Sequence, residues 1–185
     1  PKFYDISKSE QTIDLTRQPH CQDAQSSYNN ENWDSFIAKV NILDEKDDCY
    51  CKMNKKAGDI SMDKLKKYVD AAVFYEKITY PSSGNPCVID GSDAGVNPYL
   101  HLDMLKCYMQ TNKYEDGKRE AEKINGLIQV VSNTDRKEVN CLKEYYYTKL
   151  MINHYWKLCE DSKTAKLKKA IKIKNDLNNI RNKAI

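Results

Sequence analysis

Two cysteines separated by one tyrosine, in the stretch DDCYCKMNK from Asp47 to Lys55, restrict what this chain can fold into more than any other feature. On an α-helix, residues i and i+2 lie roughly 200° apart around the axis. Cys49 and Cys51 then face different neighbours. A bond between them would close a very tight ring, whereas bridged cysteines ordinarily hold their Cα atoms about 4.4–6.8 Å apart. The pair is expected to act as a double staple, with one helix bonded to two other segments, one on each flank. Tyr50 points a third way, where its ring can pack and its hydroxyl can reach water or a partner. Cys21 and Cys87 flank the motif and are the candidate partners. Four cysteines allow three pairings, and their spacing does not choose among them.

Staples matter here because the core is lean. Of 185 residues, 40% are apolar and 31% charged, and the mean hydropathy is −0.80. That length fits one domain or two small packed ones. Seven cysteines with no CxxC pair and no zinc-like Cys/His string point to an oxidising compartment and structural bonds. No leader and no apolar run of membrane-spanning length is visible, so the expectation is a secreted mature chain with its signal peptide removed and no stable membrane insertion. A net charge of +3 implies no partner by itself.

The organisation reads as all-α. Residues 1–32 show no sustained period and are expected to form an extended arm, tied down at Cys21. Residues 33–80 form a first helical half. Trp33, Phe36, Ile37, Val40 and Leu43 fall at helical spacing. Cys49 to Lys56 is helical and closed by Gly58. Ser61 caps the following helix, with Leu65, Tyr68, Val69, Ala72, Val73, Tyr75 and Ile78 as its buried stripe. Residues 81–97 are a connector, since the Pro- and Gly-rich run cannot stay helical; Cys87 to Ile89 could form a short strand. Residues 98–185 form a second half. Asn97-Pro98 is a helix-start signature, with Leu100, Met104, Leu105, Tyr108 and Met109 following. Glu115–Val131, Thr134–Cys159 and an amphipathic Lys163–Ile185 complete it.

The two halves are expected to be related. Cys49-Tyr50-Cys51-Lys52-Met53-Asn54-Lys55 aligns with Cys107-Tyr108-Met109-Gln110-Thr111-Asn112-Lys113, matching Cys, Tyr, Asn and Lys without a gap. The fold expected is therefore a disulfide-stapled helical bundle built from two related helical halves. In the second half, Cys141 and Cys159 on one unbroken helix stand about 27 Å apart and cannot bond to each other. Cys107 can bond to one of them, leaving an odd thiol whose commoner fate is burial.

With its paired Cys-Tyr-Cys layout, the chain resembles the BICYCLE proteins, salivary-gland products of gall-forming aphids and their relatives. Cys49, Tyr50 and Cys51 match the family motif; Cys107 and Tyr108 match a second copy, and Met109 departs from it. The resemblance implies delivery in saliva into plant tissue and a non-enzymatic effector role through contact with a host protein. Insect odorant-binding-like proteins are also helical and disulfide-stapled, and Cys21-x27-Cys49 and Cys51-x35-Cys87 are similar to their early spacings. Three residues separate their second and third cysteines, however, and here only Tyr50 intervenes. A parasite surface adhesion domain is a third expectation that the Lys/Asn/Tyr-rich composition fits.

No catalytic residue, metal ligand or cofactor is assigned. His20, His101 and His154 are scattered, there is no GxSxG, and the cysteines are better explained as staples. His101-Leu102-Asp103 reads as helix surface. Tyr145, Ile152, Tyr155, Trp156 and Cys159 lie within one broad helix face, read first as a core stripe. Tyr146 and Tyr147 cannot both share the buried side with Tyr145. Tyr146, Tyr147 and Trp156 are the candidate partner surface. Lys163–Ile185 carries eight basic residues and one acidic, and reads as a packing helix with a solvated face rather than a nucleic-acid or membrane site.

Overall fold

A computed structural model describes residues 19–160 and 172–179 of the chain; the expectations for residues 1–18, 161–171 and 180–185 lie outside the described residues. The helices are α1 (Pro19–Asn29), α2 (Trp33–Asn41), α3 (Tyr50–Asp63), α4 (Tyr68–Thr79), α5 (Pro98–Thr111), α6 (Tyr114–Leu127) and α7 (Asn133–Glu160). Residues 172–179 are also helical. The connector holds a small antiparallel hairpin, β1 (Val88–Ile89) on β2 (Ser92–Asp93), followed by a 3-10 turn over Ala94–Val96. The chain is a disulfide-stapled helical bundle.

Two cores meet on α5. Leu100, Met104, Cys107 and Tyr108 point into the first, with residues of α1 to α4 and the connector. Leu102, Leu105 and Met109 point into the second, with α6 and α7. At 100° per residue these sets lie on opposite faces, which is why α5 is apolar nearly all round, as buried helices are. The sequence starts this helix as expected: the Asn97 side chain accepts from the Tyr99 N–H at 3.0 Å, and Pro98 occupies a position that needs no donor. Asn112 ends it in the left-handed region at φ 55°, and the Lys113 N–H closes onto the Tyr108 carbonyl at 3.0 Å.

Several sequence expectations are corrected. The arm is not extended throughout: Pro19–Asn29 is helical. Its inner face is only Cys21, Ala24 and Ser27, so a polar outer face hides the period. Tyr28 stands edge-on to Phe36 at 5.2 Å and pins α1 to α2. Gly58 does not close α3. A Cβ there would lie 2.5–2.9 Å from the Tyr75 ring, so the glycine serves close approach of α4 rather than termination. Ser61 is accordingly a buried interior residue of α3, not a cap, and α4 begins at Tyr68. The α4 inner face is Ala71, Ala72, Phe74, Tyr75 and Ile78, while Val69 and Val73 are exposed. Burying the two aromatic rings removes more apolar surface from water than burying the valines would.

The seven-residue repeat does not place its residues equivalently. Cys49 sits at the N-cap of α3, whereas Cys107 lies in the body of α5. Asn54 is buried within α3, whereas Asn112 is the left-handed end of α5. The match in letters is carried by two different local structures.

Gly58→Ala is expected to cost about 1–3 kcal/mol, because the Tyr75 ring is fully buried and has to shift. Urea denaturation of the two proteins under non-reducing conditions measures it; an unchanged midpoint would show that α4 yields freely.

Candidate functional site

The motif cysteines are tethered in opposite directions. Cys49 bonds Cys21 on α1, and Cys51 bonds Cys87 in the connector, with Cα separations of 5.9 and 5.5 Å. Of the three pairings that the spacing left open, two send the motif thiols to different flanks, and the structure has the one that joins each to its nearer flank. The motif does not lie mid-helix: Cys49 is the residue that precedes α3, and Cys51 is in its first turn. Cys107 is buried and unbonded, and burial first, then the Asp103 charge, pushes its thiol up to about 12. Cys141 is an exposed, unbonded thiol on α7. Cys107 therefore makes neither of the bonds, to Cys141 or to Cys159, that the spacing allows. Cys159 falls in the last turn of α7, and its side chain lies outside the described residues.

The motif tyrosines differ in role. Tyr50 is 6% exposed, and among the described residues its hydroxyl has no hydrogen-bond partner. Burial first, then the Glu45 and Asp44 charges, raise its pKa above the ordinary phenol value. It lines an open cleft of about 580 Å³ between the acidic turn Asp44–Lys46 and the connector segment Pro81–Cys87, beside the Cys51–Cys87 bond. Glu45 ties the two walls together, accepting from the Ser82 and Ser83 N–H groups at 2.9 Å each. Those hydrogen bonds, led by Ser83, hold its carboxyl below the ordinary range. Tyr108, by contrast, is wholly buried and donates to Glu76 of α4.

A polar network that sequence reasoning missed joins α4, the connector, α5 and α6. The Glu120 carboxylate is 0% exposed and receives His101 Nδ1 at 2.6 Å, Arg119 Nε at 2.9 Å and the Tyr80 hydroxyl at 3.1 Å. His101 Nε2 lies 3.1 Å from the Gly95 carbonyl oxygen. A carbonyl only accepts, so Nε2 carries a proton and donates to it. Burial pushes the Glu120 carboxyl up, but the bonds from His101 and Arg119 outweigh it and hold the group below its ordinary range. The expectation that His101 sits on a helix surface is thus overturned: it braces the connector turn against α6 from inside. Only a long-range partner at residue 120 distinguishes this histidine from a surface one, and nothing local in the sequence signals it.

Asp103, two residues on, is half-buried. Burial pushes its carboxyl up to about 6, with Lys55 opposing and Asp59 assisting. A folded pKa above the unfolded value means that protonation favours the native state. Stability from this group is present below about pH 4 and is lost as pH rises through about 6. Asp103→Asn is therefore expected to stabilise the protein by about 1–3 kcal/mol at pH 7.5, with the gain vanishing near pH 4. Thermal melts across that range test it; a destabilised variant at pH 7.5 would contradict it.

The proposed partner surface on α7 is rearranged. Trp156 is 68% exposed, as a partner surface requires, and Tyr145 and Ile152 are exposed on the same face. Of the stripe read as core, Tyr145, Ile152 and Trp156 are thus on the outside while Tyr155 is half-buried against Tyr114 and His154, and Lys149 covers Tyr145 with its ammonium 4.5 Å from the ring centroid. Tyr146 and Tyr147 are only half-exposed, packed against the second core. Tyr147 and His154 join Tyr114 in a stack, with the His154 ring 3.9 Å from that of Tyr114. Val139 and Leu150 fill the core instead, on a face about 130° around the helix from Tyr145, Ile152 and Trp156.

Among the described residues there is no cluster of three or more potential metal ligands, and no helix is long and apolar enough to cross a membrane. Compared with family models, curated proteins and solved structures, the chain has no match.

Proposed function

We propose that this chain is a secreted salivary effector of a plant-feeding insect, acting without catalysis through contact with a host protein. The observation that supports the reading most is the doubly tethered Cys-Tyr-Cys motif. Both motif thiols are oxidised, each to a different flank. Such bonds belong to an oxidising compartment, and the arrangement accords with a family whose signature is that tripeptide. The carrier alternative asks for an enclosed apolar cavity of about 300 Å³ or more. The cleft at the motif is open and rimmed by charged and amide side chains, and a second, about 390 Å³ and also open, is lined by Gln22, Gln25, Ser26, Asn29 and Asn30 with Cys21 and Met53. Both suit a macromolecular surface better than a small apolar ligand.

Mass spectrometry of fed plant tissue, paired with transcript mapping across the source animal's organs, tests this. Salivary-gland expression and recovery of the chain's peptides from the plant are expected. Expression confined to sensory organs, or in an animal that does not feed on plants, would overturn it.

A further inference from the structure

The cleft beside the motif combines three features that point to one kind of occupant. Its rim is net acidic: Asp44 and Glu45 line it with Lys46, and the run Asp44–Asp48 holds four carboxylates to one lysine in a chain that is otherwise net basic. It is lined by Tyr50, a side chain more than nine-tenths buried whose hydroxyl has no partner among the described residues. The ring is held in place by burial while the hydroxyl opens onto the cleft, so a ligand that bonds to it meets a group already ordered. Its walls are rigid, since the Cys51–Cys87 bond and the two hydrogen bonds to Glu45 fix the connector against α3. Pro81 and Pro86 add apolar surface beside the acceptors.

We propose that this cleft is a docking site for an arginine side chain of a partner protein, whose guanidinium pairs with the Asp44 and Glu45 carboxylates and donates to the Tyr50 hydroxyl oxygen. A guanidinium is planar, donor-only and weakly hydrated, so it can leave water for a half-enclosed acceptor site with an apolar wall. Burial does most to raise the Tyr50 pKa, and the Glu45 and Asp44 charges that add to it supply the field that would attract a guanidinium. Asp44 is available for this: one oxygen accepts from the Lys46 N–H at 2.9 Å, and the other stands open. The inference deepens the reading of a protein-contact function by giving the contact a chemistry.

The test is a titration of the full, oxidised chain, followed by amide NMR shifts, with a tetra-arginine peptide and its neutral tetra-citrulline counterpart. Saturable shifts confined to residues 44–51 and 81–87 are expected, with the citrulline peptide at least about tenfold weaker. Tyr50→Phe should weaken the arginine peptide by about tenfold, the size of one lost hydrogen bond to a charged group. Asp44→Asn, which can still accept from Lys46, should weaken it by a similar factor and serves should Tyr50→Phe fail to fold. Equal binding of the two peptides, shifts elsewhere on the molecule, no saturable shifts, or unchanged affinity in both variants would each overturn the proposal. These outcomes are independent of whether the chain is delivered into plant tissue, so the docking site and the effector reading stand or fall separately.

Discussion

Replacing Glu120 by alanine is expected to destabilise the fold by about 3–5 kcal/mol, because it strands a buried charge network rather than deleting one bond. His101, Arg119 and Tyr80 all converge on this carboxylate. Arg119 is half exposed and can turn to water, which moves the expected loss toward the lower figure. His101 cannot do so, since it is wholly buried between Glu120 and the Gly95 carbonyl. For a chain of this size, such a loss corresponds to roughly 6–20 °C in Tm. Glu120→Gln keeps the shape and one acceptor oxygen and is expected to lose less. The pH dependence carries a definite sign. The folded carboxyl lies below its unfolded pKa, so its stabilisation is present above the unfolded value and is lost as pH falls through the folded one. Chemical denaturation at neutral and acid pH checks both points. Equal stability of the alanine variant and the parent at neutral pH would show that the network is not a brace.

Loss of one staple has an effect of the same order by a different route. Cys51 and Cys87 are 36 residues apart, and opening a loop of that length gives the unfolded chain freedom worth about 2–4 kcal/mol. The Cys51→Ser, Cys87→Ser double variant should lose that amount in urea, and reduction of both bonds should lose more. The effect is not only on the unfolded state. The Cys51–Cys87 bond anchors the connector, whose Gly95 carbonyl receives His101, so the double variant should also weaken the network at Glu120. A double-mutant cycle with Glu120→Gln detects that coupling; strict additivity would mean that staple and brace act independently.

Much of the architecture was legible because it is written locally. The Asn97-Pro98 start of α5 is a pair of adjacent residues with one backbone geometry, and the structure contains that geometry. The double staple followed from the angle between neighbours on a helix, which requires no knowledge of the partners. What escaped depends on residues far apart in the chain. Gly58 reads as a stop signal unless Tyr75 is known to lie against it. His101 reads as surface unless Glu120 is known to be buried opposite. The face of α7 could be drawn through Tyr145 and Trp156 or through Val139 and Leu150, and only packing against α5 and α6 decides. At the candidate site, the motif and its tyrosine were visible in advance. The cleft was not, because its second wall is the connector segment brought back by the Cys51–Cys87 bond.

The tether itself is open to one direct measurement. Trypsin leaves Asp47–Lys52 intact with both motif thiols, so a second cut after Tyr50 is needed to separate them. Non-reducing digestion with trypsin and chymotrypsin, read by mass spectrometry, should yield the Cys21 peptide joined to that of Cys49 and the Cys51 peptide joined to that of Cys87. Crossed pairs, a Cys49–Cys51 ring, or four free thiols in native material would contradict the account.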